Sequence, residues 1–415
     1  MTTMHYLDHN ATSPLRASAR AAMHAAFDSG GNASSVHGPG RAARARVDGA
    51  RERVARLVGC AAASVIFTSG GSEANCLALK GAVAGALAAE DRITRLFISA
   101  IEHESVRAVA AALAETTPGL KLSPIPVTPD GVIDLSAFRL QLMNGKGRGL
   151  VSVMAANNET GAIQDLAAVR RVLSTDGGEG VLLHVDAVQA VGRLPILFES
   201  SCADYMTISA HKLGGPQGAG AVIVKDDAPL APLIHGGGQE SGRRAGTENV
   251  AAIAGFGAAA EDAADLSSVQ CLTALRDRFE ADLLRAAPDA MIFGGRVSRL
   301  PNTSNFAIPG LSAETALIAL DLDGVAVSTG SACSSGKVKP SHVLAAMGVD
   351  ETLARCGLRV SFGWSSRDED VDAAIASLRR LIARRAPRAA SPPVLEKDSA
   401  RKRAGGGVGE HHGLA

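Results

Sequence analysis

Short apolar runs of strand length return along the first half of the chain, each followed by a polar or glycine-rich block. The runs lie at 64–69, 95–100, 149–156, 181–187, 205–210 and 220–225. Stretches of helical period, such as 73–89, 104–115 and 165–174, separate them. Continuously apolar strands alternating with helices require a mostly parallel sheet covered on both faces, an α/β fold. In such sheets ligands bind beyond the carboxyl ends of the strands, where the polar blocks sit.

The rest of the chain divides by texture. Segment 16–260 reads as the large domain and 261–385 as a smaller α+β domain, with 1–15 an N-terminal segment packing against the latter. The Pro-, Gly- and charge-rich end, 386–415, buries too little apolar surface to offset ordering entropy and reads as a disordered tail. Lys+Arg 42 balances Asp+Glu 42 and only 3% of residues are aromatic, which argues against nucleic acid or an anionic membrane as partner. No secretory leader or membrane-length apolar run stands out, and six cysteines without a C-x-x-C pair suggest neither a disulfide framework nor a zinc site. A reducing cytoplasm is the expected location.

Three of the blocks carry most of the chemistry. In "FTSGGSEAN" the Gly71-Ser72 turn opens a helix, which suits an anion such as phosphate, although taken alone an ordinary turn with Ser72 as N-cap is the commoner reading. In "VLLHVDAVQAVG" Asp186 ends a run that should be buried, so it needs a cationic partner or a capping role; Gln189 follows on the same crevice. In "SAHKLGGPQGAG" Lys212 follows a strand, where desolvation makes a nucleophilic amine, unless the side chain snorkels to water. Phosphate cradle, amine and lone carboxylate together suit pyridoxal 5′-phosphate: the aldehyde on Lys212, the phosphate on Gly71 and Ser72 with Ser209 and His211 adding donors, the pyridine nitrogen on Asp186. Neither G-x-G-x-x-G nor G-x-x-x-x-G-K-[ST] opens the sheet.

Further blocks fit around that group. His103 follows the run 95–100 and could stack on a ring and move protons. Arg359 in "RVSFG" could clamp a substrate carboxylate or simply form a surface ion pair. "HGGGQESGRRAGTENV", with Thr247, suits anion binding and is long enough to cross to a neighbouring subunit. Cys333 in "VSTGSACSSGK" stands in a Ser/Gly loop where a thiolate could reach substrate; Cys60, Cys76, Cys202, Cys271 and Cys356 read as small packed hydrophobes.

The blocks "YLDHNAT", "GNASSVHGPGR", "FTSGGSEAN", "EHESV", "ANNETGAIQ", "DAVQAVG", "SAHKLGGPQGAG", "GGGQESGRRAGTENV" and "GSACSSG" occur in that order over about residues 5–380. The chain thereby resembles the pyridoxal-phosphate-dependent cysteine desulfurases of the class V aminotransferase family, in the iron–sulfur-cluster and nitrogen-fixation branch. The resemblance implies a fold-type-I homodimer that converts L-cysteine to L-alanine and passes sulfur to an acceptor or cluster scaffold protein. It makes Lys212 the Schiff-base lysine, Asp186 the pyridinium partner and His103 the stacking proton carrier. Gln189 would meet the ring hydroxyl, Gly71, Ser72, Ser209 and His211 the phosphate, with Thr247 arriving from the other subunit. Asn158 would lie beside cofactor and substrate, Arg359 would take the substrate carboxylate, and Cys333 would carry the persulfide, which in some relatives also ligates an iron–sulfur cluster. Ser72 stands where the family often has Thr, Ala33 where it often has Pro, and Cys76 where it often has Asn. The alternative is a selenocysteine lyase or another class V aminotransferase without sulfur delivery, which would keep Lys212 and Asp186 but not need Cys333.

Overall fold

The structure, a computed structural model, describes residues 4–330 and 340–384. Cys333 and the expected tail 386–415 therefore lie outside the described residues.

Among the described residues twelve strands can be followed in chain order: β1 (His5–Tyr6), β2 (Val65–Thr68), β3 (Ile93–Ser99), β4 (Lys121–Ile125), β5 (Arg148–Met154), β6 (Leu182–Asp186), β7 (Tyr205–Ser209), β8 (Gly220–Val224), β9 (Met291–Phe293), β10 (Thr303–Ala307), β11 (Val325–Ala326) and β12 (Gly357–Ser361). Seven form the central sheet in the order β2-β8-β7-β6-β5-β3-β4. β4, β3, β5, β6 and β7 run parallel, as the alternating pattern requires. β8 runs antiparallel to both β7 and β2. Only the glycine-rich turn after Lys212 separates β7 from β8, too little chain for a crossover, so the second strand must return. β4, more polar than its neighbours, closes the far edge and carries no apolar run in the sequence.

Alternate side chains of the strands feed two different cores. Ile66, Leu96, Leu150, Leu182, Tyr205 and Val222 join the helices Gly71–Ala88 and Glu104–Thr116. Phe67, Phe97, Val151, Leu183, Met206 and Ile223 join the opposite face, under Gly38–Val58, Leu166–Thr175 and Val250–Ala263. This period of two is why all these strands read as unbroken apolar runs. Truncating a fully buried member such as Leu183 to Ala should cost about 2–5 kcal/mol.

A third core binds the helices Val269–Ala286, Ala313–Leu322 and Asp368–Ala383 to the antiparallel sheet β12-β10-β9. Leu7 is buried in it, and β1 pairs in parallel with β11. The chain then bridges from Asp8 to Ser361 and runs on to Asn10 and Ala11, which reach the crevice of the large sheet. Among the described residues no helix is long and apolar enough to cross a membrane.

Candidate active site

The sheet's polar strand ends converge at one place because β6 and β7 are parallel neighbours and β5 flanks them. The helix Gly71–Ala88 begins at the same edge. Its N-cap is Gly70, not Ser72, and no side chain caps it. Its first N–H groups are thus available to an anion, with the helix dipole behind them. Gly220 on β8 packs so closely on this turn that a Cβ there would stand 2.6 Å from the Gly70 carbonyl carbon. At Gly71 itself a Cβ would meet Val188 and Ser209 at 3.2 and 3.4 Å.

In front of this turn lies a cavity of about 430 Å³, whose walls include Thr12, Ser69, Gly71, Ser72, Ser209 and His211. Ser209 Oγ is buried and, among the described residues, has no hydrogen-bond partner. An orphaned hydroxyl facing an uncapped helix end has a use only if an acceptor such as a phosphate oxygen arrives. His211 is bonded through Nδ1 to Thr12 Oγ1 at 3.2 Å, and burial first, then the charges of Lys212 and Arg193, push its pKa down to about 4.

Lys212 follows β7 in a short turn. Its Nζ donates to the carbonyl oxygens of Asn10 and Ala11, at 2.5 and 2.7 Å. Burial is the main reason its pKa falls to about 7, and the Arg193 and Arg359 cations add to it. Asp8 and Asp186 pull the other way without compensating. The amine turns inward onto these carbonyls, and with a pKa of about 7 roughly half of it is in the free-base form at neutrality.

Asp186, at the end of β6, is treated in the opposite manner. Asn75 Nδ2 donates to one oxygen at 2.8 Å and the backbone N–H of Val188 to the other at 3.0 Å. Beside it Glu102 is wholly buried, and burial followed by the Asp186 charge raises its pKa well above the usual carboxyl range. Both oxygens of Asp186 accept a hydrogen bond, whereas burial works against the charge of Glu102.

The other residues singled out in the sequence fall around this pair. Gln189 is buried, donating from Nε2 to Asn10 O at 2.9 Å while its Oε1 accepts from Arg193. Arg359, also buried, donates through Nη1 to Asn158 O at 2.9 Å and through Nη2 to Asp8 Oδ1 at 2.6 Å, leaving Nε without a partner among the described residues. It is an internal clamp, not a surface pair. His103 is exposed and caps the helix Glu104–Thr116, its Nδ1 accepting from Ser105 N at 3.1 Å. Thr247 is exposed. Its loop is tied down by Glu240, which takes a bidentate pair from Arg51 at 2.6 and 2.7 Å and accepts from Phe67 N. Of the cysteines expected to pack as small hydrophobes, Cys356 is buried and Cys60 and Cys76 partly so, but Cys202 and Cys271 are exposed. Cys202 lies beyond a single helical turn in a left-handed conformation, φ 53°, and Cys271 points outward from its helix.

Sequence reading missed Asp8, Asn75, Glu102 and Arg193. "YLDHNAT" and "EHESV" contained two of them, yet nothing in the strings says that Asp8 will meet a residue 351 positions away. Among the described residues no cluster of three or more His, Cys, Asp or Glu side chains could hold a metal.

An inward-facing amine of lowered pKa, a neighbouring hydrogen-bonded carboxyl and an anion cradle with an unused hydroxyl define a pyridoxal-phosphate type of site. The aminotransferase class-V family model matches residues 5–374. An IscS-like cysteine desulfurase from Mycobacterium tuberculosis is 41% identical over 384 residues, 92% of this chain and 97% of the relative. The crystal structure of a NifS-like protein from Rickettsia africae has a TM-score of 0.81 at 34% identity, covering 92% of this chain and 99% of the other. A structure of SspA in complex with cysteine has a TM-score of 0.75 at 28% identity, over 87% of this chain and 99% of that one. The chain belongs to the class-V aminotransferases, on their cysteine desulfurase branch.

Proposed function

We infer that the protein is a pyridoxal-phosphate-dependent cysteine desulfurase that turns L-cysteine into L-alanine and takes up the sulfur. The observation that carries this reading is the pairing at two adjacent strand ends: Lys212, its pKa lowered to about 7 mainly by burial, beside the Asp186 carboxyl held by Asn75 and the Val188 N–H. The orphaned Ser209 hydroxyl and the uncapped helix at Gly71 and Ser72 fit the cofactor phosphate. When bound, the cofactor supplies an electron sink for the carbon that carries the amino group.

The chain's own groups do the rest. Lys212 would hold the cofactor through its amine and would serve as the base for the α-proton of cysteine. Asp186 would hold the cofactor's ring nitrogen. Arg359 turns its guanidinium fork to the substrate carboxylate, exchanging Asp8 or Asn158 O for it. His103 serves as a further proton carrier, and Gln189 stands at the ring side of the crevice. Cys333 attacks the substrate sulfur as thiolate: a new S–S bond forms, the substrate C–S bond breaks with its electron pair staying on carbon, and that carbon is then protonated to give alanine. The persulfide so formed is handed to an acceptor or cluster scaffold protein.

We read the enzyme as a cytoplasmic homodimer, with Thr247 completing the phosphate site of the partner, serving iron–sulfur cluster assembly and by extension nitrogenase maturation. The exposure of Thr247 and the bracing of its loop by Glu240 support that arrangement. Cys333→Ala tests the sulfur step: it should keep the cofactor's visible absorbance and lose sulfide release from L-cysteine. Unchanged release would assign the protein to the selenocysteine lyase type, and loss of absorbance would remove Cys333 from the sulfur step.

A further inference from the structure

Asp186 is the end of a longer buried structure. On β6, His184 stands two residues before it and therefore on the same face of the sheet, under the helix that carries Asn75. Ser152 on β5 and Thr207 on β7 flank His184. All four supporting side chains are at most 1% exposed, in a largely apolar core of Ile, Leu, Val and Ala. Polar groups in such a place must satisfy one another.

The way they do so leaves no freedom in proton placement. Both N–H bonds of Asn75 are committed: Nδ2 reaches Asp186 Oδ2 at 2.8 Å and Ser105 Oγ at 2.9 Å. Its Oδ1 can only accept, and Thr207 Oγ1 lies 2.6 Å away, so the threonine proton points at Asn75. Thr207 Oγ1 must then accept from His184 Nε2 at 3.3 Å, which places the ring proton on Nε2. His184 Nδ1 is left as an acceptor, and the Ser152 hydroxyl donates to it at 2.8 Å. Each link donates toward Asp186: Ser152 to His184, to Thr207, to Asn75, to the carboxylate. The imidazole stays neutral, since burial pushes its pKa down to about 4 against the opposing pull of Asp186. Bonds directed one way polarise one another, and every donation strengthens the anion at the end.

We propose that Asn75, Thr207, His184 and Ser152 are positioning residues that act on Asp186 as one unidirectional hydrogen-bond chain, holding its carboxylate ionised and aimed for the cofactor's ring nitrogen. What the carboxylate is used for rests on the desulfurase reading above; the chain itself rests on the geometry. The other ionisable groups facing Asp186 are Glu102 and Lys212.

The test titrates Asp186 in the full-length apoprotein by carbon-13 NMR of labelled aspartate carboxyls, with Asp186→Asn to assign the signal. Asn75→Leu should raise the proton affinity of Asp186 about tenfold or more. Thr207→Val should raise it a few-fold, Thr207→Ser should restore it, and Ser152→Ala should move it least but in the same direction. In the holoenzyme the pH midpoint of the cofactor's visible band should follow the same order. The proposal is overturned if these variants lower the melting temperature while Asp186 titrates as in the wild type. It is also overturned if Asn75→Leu alone shifts it, because the effect is then a single bond. Should Thr207→Val fail to fold, Ser152→Ala decides by its direction. A wild type that binds no cofactor would remove the desulfurase reading and leave the apoprotein comparison intact.

Discussion

The ends of β6 and β7 lie side by side and treat their ions in opposite ways. At the end of β6 a carboxylate receives an amide and a backbone N–H, and the acid beside it surrenders its charge. Just past β7 an ammonium group would meet carbonyl oxygens, two arginine cations and little water. The burial that lowers a lysine's pKa can be offset at a carboxyl by the hydrogen bonds it accepts. Chemical state here is decided by what the neighbours donate, not by depth alone.

That comparison can be broken most directly at the amine. Lys212→Ala should lower alanine production from L-cysteine by about a thousandfold or more, measured with cofactor in excess. Asp186→Asn keeps the shape and removes the charge at the other strand end; turnover should fall roughly a hundredfold, with the visible band displaced. Arg359→Lys preserves one positive charge near Lys212 but not the fork, so KM for cysteine should rise about tenfold with a smaller change in kcat.

The smallest effect is one of pH. Lys212 has a pKa of about 7 in the folded chain, against 10.5 for a lysine in water. Between those values the unfolded chain binds more protons, so this residue makes apoprotein stability rise with pH across the window and contributes no slope below pH 7. Lys212→Met should remove that rise, read by denaturant unfolding at pH 7, 8.5 and 10.

Much of this was legible beforehand because it is local. The strand runs, the helices after them and the position of Lys212, Asp186 and the Gly71-Ser72 turn at strand ends all follow from periodicities of two and 3.6 and from turn residues. The partners were not legible. Asn75 meets Asp186 across 111 residues and Thr207 across 132, and a string of letters carries no record of such separations. The same holds for the exposure of Cys202 and Cys271, which depends on which helical face the rest of the chain leaves uncovered.

The order of apolar and polar segments determined, without further help, that a covered parallel sheet would form and that its strand ends would gather a lysine, an aspartate and a glycine turn. Only the tertiary structure decided that the Lys212 pKa would fall to about 7 and that Arg359 would face inward onto Asp8. The reason is range. Hydrogen bonding along the backbone and side-chain alternation act between near neighbours in the chain, whereas desolvation and charge act through space on whatever the fold brings within a few ångströms.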